Sequence, residues 1–574
     1  MQFFSSPRLA LGALIGLSAA FSPLAYGQTV TTIPIIQGKG DATTMAGQLV
    51  TVEGVVTGDF QWREQLSGFF IQDVKGDGDP ATSDGIFVHV NARSKADGID
   101  VKVGDRVKVT GEVAEFDNET QIAQVAAIDI LGQEKLPAPV ALTLPLATGS
   151  SFENVEGMLV TFPQKLTVSN NYELDTYGSL GVSLDRLFVP TNLKALGEKS
   201  EDEALRSFIL DDGSDAKDPE ATPYLDANGS RRTGSSVSGI IGILSYGHKS
   251  YRVHPTTAPV FEETNPRPVA PAAVGGTLKV GAANVLNYFT SFQDANPRAR
   301  GAKNAEEFAR QSAKVIAELR GLDADVLGIM EVQNNGNEAI GDIVTKLNAA
   351  YGTETYAYIN DDPQAIGTDL IKVALIYKIA AVTPRGNPVV KKDAAFERYP
   401  LAQTFVSKAN GAVFTVVVNH FKSKSPGRET VDIDKGEGAF TQRRISQAKS
   451  LLEFVNSLKQ STGDPDVLAI GDLNSYAEES PILALREGGL SHLNLLVPTA
   501  DRFSYVFGGR SGSLDHAVAT PELAKQVTGF AEWHINADEP VFMEYGKLTA
   551  ENFKANPYRA SDHDPLLVGL NLTP

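Results

Sequence analysis

The residues of this chain that could do chemistry stand at the ends of apolar segments that predict buried strands. Asp562 and His563 form the clearest pair, because they closely precede an apolar run that begins at Leu566. A carboxylate can bind a hard cation, and an imidazole can exchange a proton near neutral pH. An isolated Asp-His pair is more often a turn with a solvated Asp and a hydrogen-bonded His. The interpretation as a functional site therefore depends on what the other strand ends carry.

Five further apolar segments have a polar residue of a suitable type at one end. A charged group beside a buried strand costs free energy unless it is paired or bound to a metal ion. We therefore expect these residues to converge on one rim of the fold and to form a site. In chain order they are Asn284, Glu331, His420, Asp472 with Asn474, and Asp515.

Oxygen ligands in this set favour a hard divalent cation. Glu331 and Asp562 offer carboxylates, and Asn284 is a candidate third ligand. Such ligands suit Mg²⁺, Mn²⁺ or Ca²⁺. We expect Mg²⁺ or Mn²⁺ at the site, with Ca²⁺ as a further structural or activating ion.

The remaining residues of the set could transfer protons and bind phosphate. Asp472 and Asn474 lie two positions apart at one strand end, so both can point to one side. His420 and His563 can donate to phosphate oxygens or move protons, and Asp515 could orient the ring of His563. The sequence has no cysteine, and it shows neither a Walker loop nor a serine nucleophile elbow. The predicted reaction is metal-assisted attack of water on a phosphodiester or phosphomonoester.

Four basic residues near His420 could bind the phosphates of a substrate such as DNA. The alternative is that the lysines are solvated loop charges and the arginines form pairs on a helix surface. The chain has a net charge of −19, which argues against broad adhesion to nucleic acid or anionic membrane but allows a local basic groove. The four residues are Lys422, Lys424, Arg443 and Arg444.

The first 27 residues have the pattern of a secretory signal peptide. Arg8 precedes a short apolar segment over residues 9–21, and Ala25 and Gly27 stand at the −3 and −1 positions of a cleavage site. We expect a secreted, extracellular protein, with periplasmic transit in a bacterium. No membrane anchor is expected, and we expect a monomer.

Residues 28–135 predict a small β-barrel, because short strands alternate with glycine turns. The phrases GFFIQD, DGIFVHV and VGDRVKVTGEV resemble the OB-fold modules that precede some bacterial secreted nucleases. Four aromatic residues could form a nucleic-acid surface, although aromatic residues in a small barrel are more often core. They are Phe60, Trp62, Phe69 and Phe70.

One loop of this barrel carries four aspartates between glycines, and such a loop could bind Ca²⁺. Its spacing is not that of an EF-hand, so a solvated hairpin loop remains the alternative. The aspartates are Asp73, Asp77, Asp79 and Asp84.

The rest of the chain predicts a β-rich module, a linker and a catalytic domain. Residues 136–262 contain several β-like runs, and residues 263–276 form a Pro-rich linker. Over residues 277–574, strands alternate with amphipathic helices, which predicts an α/β layered domain. All the candidate catalytic and metal residues lie beyond the linker, so the N-terminal modules are expected to help capture substrate without carrying chemistry.

Seven motifs occur here in the order typical of the endonuclease/exonuclease/phosphatase superfamily. They are AANVLNYF, IMEVQNNG, VALIYK, VVVNHFKSK, AIGDLNSY, GSLDHAVAT and SDHDP. The chain resembles the DNase I-like branch, and in particular large secreted bacterial nucleases with an N-terminal OB-like module. The resemblance implies a four-layer αββα sandwich with the site at one edge of two facing sheets.

The resemblance also implies roles for residues. Glu331 would be the principal metal ligand, with Asn284 and Asp562 close by. Asp515 and His563 would form a pair. Asp472 and Asn474 would orient water and phosphate, and His420 would match the second catalytic histidine of the DNase I-like branch.

The leading hypothesis is a secreted metal-dependent nuclease acting on extracellular DNA, with RNA as a further substrate. One alternative is a phosphatase or phospholipase-type phosphoesterase on the same scaffold. A second, from another class, is a nucleic-acid-binding protein without catalysis.

Overall fold

The computed structural model of the protein describes residues 29–62, 64–90, 96, 98–360 and 367–574. The predicted signal peptide, residues 1–27, lies outside the described residues. In the described part of the chain, no helix combines the length and the apolar character needed to cross a membrane.

The first domain is a closed five-stranded barrel in the order β1-β2-β3-β5-β4. β1 pairs antiparallel with both β2 and β4, whereas β3 and β5 run parallel. The strands are β1 (Leu49–Phe60), β2 (Gly68–Gln72), β3 (Gly85–His89), β4 (Asp105–Phe116) and β5 (Glu119–Gln133).

The aromatic residues of the barrel are mostly core. Phe69 and Phe70 are at most 1% exposed, and Phe60 packs with Phe70 in a cluster that includes Ile243 of the next domain. The predicted nucleic-acid surface is therefore wrong for these three phenylalanines, because their apolar area is removed from water. Trp62, in contrast, is 74% exposed.

The second domain is built on a nine-stranded sheet in the order β14-β11-β8-β9-β10-β13-β12-β7-β6. Its core lies on the alternating apolar positions of these strands. The strands are β6 (Val140–Ala141), β7 (Leu159–Phe162), β8 (Leu166–Asn170), β9 (Leu180–Ser183), β10 (Ser207–Leu210), β11 (Ser236–Ser238), β12 (Ile240–Gly247), β13 (Ser250–Pro255) and β14 (Val260–Glu262).

The C-terminal domain contains two six-stranded sheets, with orders β17-β18-β16-β15-β28-β27 and β19-β20-β21-β22-β26-β23, and a small hairpin of β24 and β25. The strands are β15 (Leu278–Tyr288), β16 (Val326–Gln333), β17 (Tyr356–Tyr358), β18 (Ile371–Lys378), β19 (Val382–Val390), β20 (Leu401–Ser407), β21 (Val413–His420), β22 (Val467–Asp472), β23 (Ser491–His492), β24 (Tyr505–Phe507), β25 (Arg510–Gly512), β26 (Asp515–Ala519), β27 (Val527–Glu532) and β28 (Leu566–Leu570).

Helices cover the outer faces of the two sheets. The inner faces pack on each other in one apolar cluster, α4 and α5 pack on the first sheet, and α6 and α7 pack on the second. The order of layers is therefore helix, sheet, sheet, helix. The helices of the described residues are α1 (Ile33–Gln37), α2 (Leu174–Tyr177), α3 (Pro190–Leu193), α4 (Ala305–Leu322), α5 (Glu338–Tyr351), α6 (Thr441–Thr462), α7 (Ser480–Glu487) and α8 (Pro521–Ala524).

A group of glutamates is buried where the barrel meets the second domain. Glu156 is 1% exposed, and its Oε2 accepts the N–H of Thr120 at 3.1 Å. Burial, and then the charge of Glu119, raises the pKa of Glu156, and burial also raises the pKa of Glu119. One oxygen of each has no hydrogen-bond partner among the described residues. At neutral pH the environment therefore favours protonation of this pair.

The second domain also docks on the catalytic domain through buried ion pairs. Arg186 Nη1 lies 2.8 Å from Asp538 Oδ1, and Arg232 Nη1 lies 2.5 Å from Glu539 Oε1. Arg267 of the linker lies 2.8 Å from the other Glu539 oxygen. Burial alone would raise the pKa of Asp538, but the charges of Arg186 and Arg232 outweigh it and lower that pKa. The two domains are thus joined by buried ion pairs. Removal of either partner from such a pair would lower the free energy of unfolding.

Candidate active site

Register irregularities in two parallel strands, β15 and β16, set the orientation of Asn284 and Glu331. Register shifts interrupt the pairing of β15 after Asn284 and of β16 between Ile329 and Val332. Glu331 adopts a left-handed φ of 67° there, a conformation that non-glycine residues hold only when their surroundings enforce it. Its Oε1 accepts the Nδ2–H of Asn284 at 3.2 Å, and its Oε2 accepts the N–H of Asn287 at 2.9 Å.

Three strands of the second sheet bring their polar ends into one row. His420 of β21 is paired in register with Asp472 of β22, and Asp472 is paired with Asp515 of β26. His420 Nε2 lies 3.4 Å from Asp472 Oδ2 and 3.9 Å from Glu331 Oε1. The row therefore faces Glu331 across the gap between the two sheets.

His563 completes the row from the other side. Its Nδ1 lies 2.7 Å from Asp515 Oδ2, and its Nε2 lies 4.0 Å from Asp472 Oδ2. Ser504 Oγ donates to the same Asp515 oxygen at 2.7 Å, so that carboxylate is fixed from two sides. The ring of Tyr505 packs against the imidazole, with 4.7 Å between ring centroids.

Asn474 is held close to Asp472 by the turn that follows β22. Its N–H donates to Asp472 Oδ1 at 2.8 Å, and its Nδ2–H donates to the Phe421 carbonyl at 3.1 Å. Its φ of 47° is again left-handed. The amide nitrogen of the side chain is thus anchored to the turn that follows β21.

The protonation of the site groups follows from burial and neighbouring charge. Burial, and then the charge of Asp562, raises the pKa of Glu331. Burial raises the pKa of Asp472, reinforced by Asp515. Burial alone would lower the pKa of His563, but the charges of Asp515 and Asp472 raise it well above 6.5.

His420 has the opposite shift. Burial, and then the charge of Arg398, lowers its pKa well below 6.5. At neutral pH His563 is therefore cationic and His420 neutral. Two groups of one type whose environments move their pKa values apart form a pattern seen in acid–base pairs.

The donors present fit a hard divalent cation. Burial raises the pKa of Glu331, Asp562 lies close enough for its charge to raise that pKa further, and a bound cation would offset this repulsion. Asp472, Asp515 and His563 each offer a ligand atom, and these atoms lie within 4.8 Å of one another. Oxygen-rich sets of this kind suit Mg²⁺, Mn²⁺ or Ca²⁺.

Of the four predicted phosphate-binding residues, two have their donor groups inside the protein and two are accessible. Arg444 is 0% exposed, and its guanidinium donates to the carbonyls of Ala439 and Glu437 at 2.6 and 2.7 Å. Lys424 Nζ lies 2.7 Å from an oxygen of Glu479, which is 1% exposed. The phosphate-binding prediction is therefore wrong for these two residues, because their donors are used inside the protein.

The other two residues of the patch remain accessible. The side chains of Lys422 and Arg443 are 27% and 36% exposed, and both lie within 4 Å of Glu397. Their surface position leaves room for contact with an anion.

Sequence reasoning missed several residues around the site. Arg398 donates to the carbonyls of His420 and Phe421 and pairs with Asp369, and Arg300 pairs with the other oxygen of Asp369 at 2.9 Å. These residues follow no strand-end pattern. For Ser504 and Tyr505, proximity to the GSLDHAVAT motif was the available signal.

The aspartates of the barrel loop bind mostly to their own loop. Asp73 Oδ1 accepts the N–H groups of Lys75 and Gly76, and Asp77 Oδ1 accepts the N–H of Asp79. Asp79 pairs with Lys39 at 2.6 Å, and Asp84 Oδ1 accepts the N–H of Asp77. These contacts fit the hairpin-loop alternative, and the Ca²⁺ loop stays a prediction.

The layered α/β fold and the paired-sheet site define a phosphoester hydrolase domain. Residues 282–563 match the Endonuclease/Exonuclease/phosphatase family, so the C-terminal domain is a domain of this family and has its DNase I-like fold. The matched range includes all eight predicted catalytic and metal-binding residues. The family's enzymes hydrolyse phosphoester bonds, generally with a divalent metal ion.

Solved structures similar to this chain include three with known names. The human Nocturnin catalytic domain has a TM-score of 0.34 and 16% identity over 52% of this chain and 94% of that chain. A mannosyl-6-phosphatase of Bacteroides thetaiotaomicron has a TM-score of 0.34 and 16% identity. The match covers 51% of this chain and 99% of that chain. D. rerio TDP2 with a single-strand DNA product has a TM-score of 0.33 and 14% identity. The match covers 51% of this chain and 97% of that chain. No curated protein matches the chain.

Proposed function

We propose that the protein is a secreted, divalent-metal-dependent nuclease that hydrolyses phosphodiester bonds of extracellular DNA, with RNA as a further substrate. One observation carries this proposal. Nε2 of His420 and Nε2 of His563 face the same oxygen, Asp472 Oδ2, at 3.4 and 4.0 Å. A neutral and a cationic imidazole on either side of a buried carboxylate can handle a water nucleophile and a phosphoryl oxygen together.

The residues around the two imidazoles also have definite tasks in this proposal. Asp515 holds the ring of His563 so that Nε2–H points toward the phosphate. Asp472, whose raised pKa improves it as a base, accepts the proton of the attacking water, and Asn474 orients that water. A cation held by Glu331 and Asp562 supplies polarisation of the phosphoryl oxygen when bound.

A polymeric anion as substrate is supported by the cationic rim of the site. Arg300, Lys422 and Arg443 have side chains that are 44%, 27% and 36% exposed. Arg300 and Arg398 are close enough to affect the pKa of His420. Such charges can bind phosphates on both sides of the scissile bond although the whole chain is acidic.

We further propose that the barrel is of the OB type and assists capture of a strand. The strand order, with β1 between β2 and β4 and β3 parallel to β5, supports this view. Trp62 is the exposed aromatic residue on which a base could stack. Trp62→Ala should then raise KM for single-stranded DNA and leave kcat unchanged.

The test uses purified protein with supercoiled plasmid, RNA, a phospholipid and p-nitrophenyl phosphate. Each is incubated with EDTA, Mg²⁺, Mn²⁺ or Ca²⁺. We expect metal-dependent cleavage of the plasmid that EDTA abolishes. Lys422→Ala should raise KM for DNA but not for p-nitrophenyl phosphate, because the small ester cannot reach the rim. Turnover of only the monoester or the lipid would overturn the nuclease proposal.

Secretion is tested separately. The protein is expressed with its first 27 residues in a bacterial host, and the N-terminus of the material in the medium is determined by mass spectrometry. A mature chain that begins at Gln28 is expected, and an intact cytoplasmic product would contradict secretion.

A further inference from the structure

A segment of the second domain reaches β25, the strand that precedes the Asp515-bearing strand β26. Residues 187–189 add to the edge of β25: the N–H of Val189 donates to the Ser511 carbonyl, and the N–H of Ser511 donates to the Leu187 carbonyl, both at 2.9 Å. Arg186 Nη1 donates to Ser511 Oγ at 2.9 Å. The hairpin next to the catalytic row is therefore partly formed by a different domain.

Asn192 extends this contact to the site itself. Its Nδ2–H donates to the carbonyl of Arg502 at 3.0 Å, and its Oδ1 accepts the N–H of Ser513 at 3.0 Å. The side chain thus ties together two segments, one leading to Ser504 and the other to Asp515. Asn192 and Ser513 are both 0% exposed, so the bond between them is buried and its loss would leave a polar group without a partner.

The two tied segments meet at Ser504. Ser504 Oγ accepts the N–H groups of Leu514 and Asp515, both at 3.1 Å, and donates to Asp515 Oδ2. The carbonyl of Ser504 accepts the N–H of Asp564 at 2.8 Å, beside His563. A movement of the segment at Arg502 relative to the segment at Ser513 would therefore displace both Asp515 and His563.

We propose that Asn192, which lies outside the catalytic domain, is a positioning residue of the active site: it fixes the geometry of the Asp515–His563 pair. This inference rests on the proposed function for its kinetic consequences, but its structural content is independent of the substrate. The second domain is then a component of the site, and the expectation that the N-terminal modules only capture substrate is too narrow.

The test compares Asn192→Ala with Asn171→Ala in the full-length protein. Asn171 is a matched control, because it is also a buried asparagine of the second domain, and its Nδ2–H donates to the Asp538 carbonyl of the catalytic domain at 2.9 Å. We expect Asn192→Ala to lower kcat about 10- to 100-fold with KM within about threefold, since misplacement of a catalytic group by 1 Å can cost 10²-fold. Asn171→Ala should keep kcat within about twofold.

A double-mutant cycle with Asp515→Asn separates positioning from general damage. If Asn192 acts through Asp515, Asn192→Ala should lower kcat less than about threefold further in the Asp515→Asn background. Full additivity, or a wild-type kcat for Asn192→Ala, would overturn the proposal. Should the alanine variant fail to fold, Asn192→Ser takes its place, with the same criteria.

A second readout does not need activity. The proton between His563 Nδ1 and Asp515 should give a low-field resonance in the proton NMR spectrum that Asp515→Asn abolishes. Asn192→Ala should shift or broaden it and Asn171→Ala should leave it unchanged; an identical resonance in wild type and Asn192→Ala would overturn the inference. If the wild-type protein cleaves no phosphoester, the proposed function fails while this measurement still decides the role of Asn192.

Discussion

Replacement of His563 by alanine tests the centre of the proposed site. The imidazole lies 2.7 Å from Asp515 and 4.0 Å from Asp472, and its side chain is 8% exposed. A positioned acid or base contributes about 10²–10⁴-fold in rate, and a donor to the transition-state charge contributes on the order of 10²–10³-fold. If His563 fills both roles, even the lower values together give about 10⁴-fold, or about 5.4 kcal/mol of barrier.

Two further variants divide this effect between its causes. His563→Gln keeps a hydrogen-bond donor but cannot exchange a proton, so it should retain more activity than His563→Ala. Asp515→Asn keeps the ring and removes only its orientation and charge stabilisation, so it should also be less damaging. The three results together show which property of the imidazole matters.

The assay is steady-state cleavage of a fluorescent DNA duplex across a metal titration. Circular dichroism of each variant serves as the control for folding. A His563→Ala protein that keeps more than about a tenth of the wild-type rate would refute the reasoning, because the loss would then fall below the smallest general-acid–base factor.

Three other predictions follow from single residues. Glu331→Gln should need more metal for half-maximal rate, because a charged ligand is lost; an unchanged metal titration would contradict its role. Arg444→Met should lower the melting temperature and leave KM for DNA unchanged, since its guanidinium bonds to internal carbonyls; a raised KM with normal stability would contradict this. Glu156 has a raised pKa in the folded state, so the folded protein holds a proton above pH 4.5 that the unfolded chain releases, and stability should fall as pH rises through this range. Glu156→Gln should therefore flatten the decline of melting temperature between pH 5 and pH 9, and an unchanged slope would contradict the argument.

The row of site residues could be predicted from the sequence because it depends on local rules. A polar residue at the end of an apolar strand is visible in the sequence, and the edge of a sheet collects such ends. His420, Asp472 and Asp515 do align across three strands, and His563 does contact Asp515.

Burial of charge could not be predicted in the same way. Arg443 and Arg444 are neighbours in one helix, yet only Arg444 turns inward toward the carbonyls of Ala439 and Glu437. The choice between them depends on the loop that precedes the helix. Likewise, nothing local marks Asn192, because its partners lie more than 300 positions away along the chain.

The buried ion pairs between the second and third domains have a consequence for synthesis. A ribosome completes the N-terminal parts first, so Arg186 and Arg232 are already in place when Asp538 and Glu539 emerge. The last domain can therefore fold against a finished basic surface. A protease that cut the linker and released the C-terminal domain would separate Asp538 and Glu539 from Arg186 and Arg232 and would expose this interface to water. Loss of the N-terminal half should thus lower the stability of the C-terminal domain.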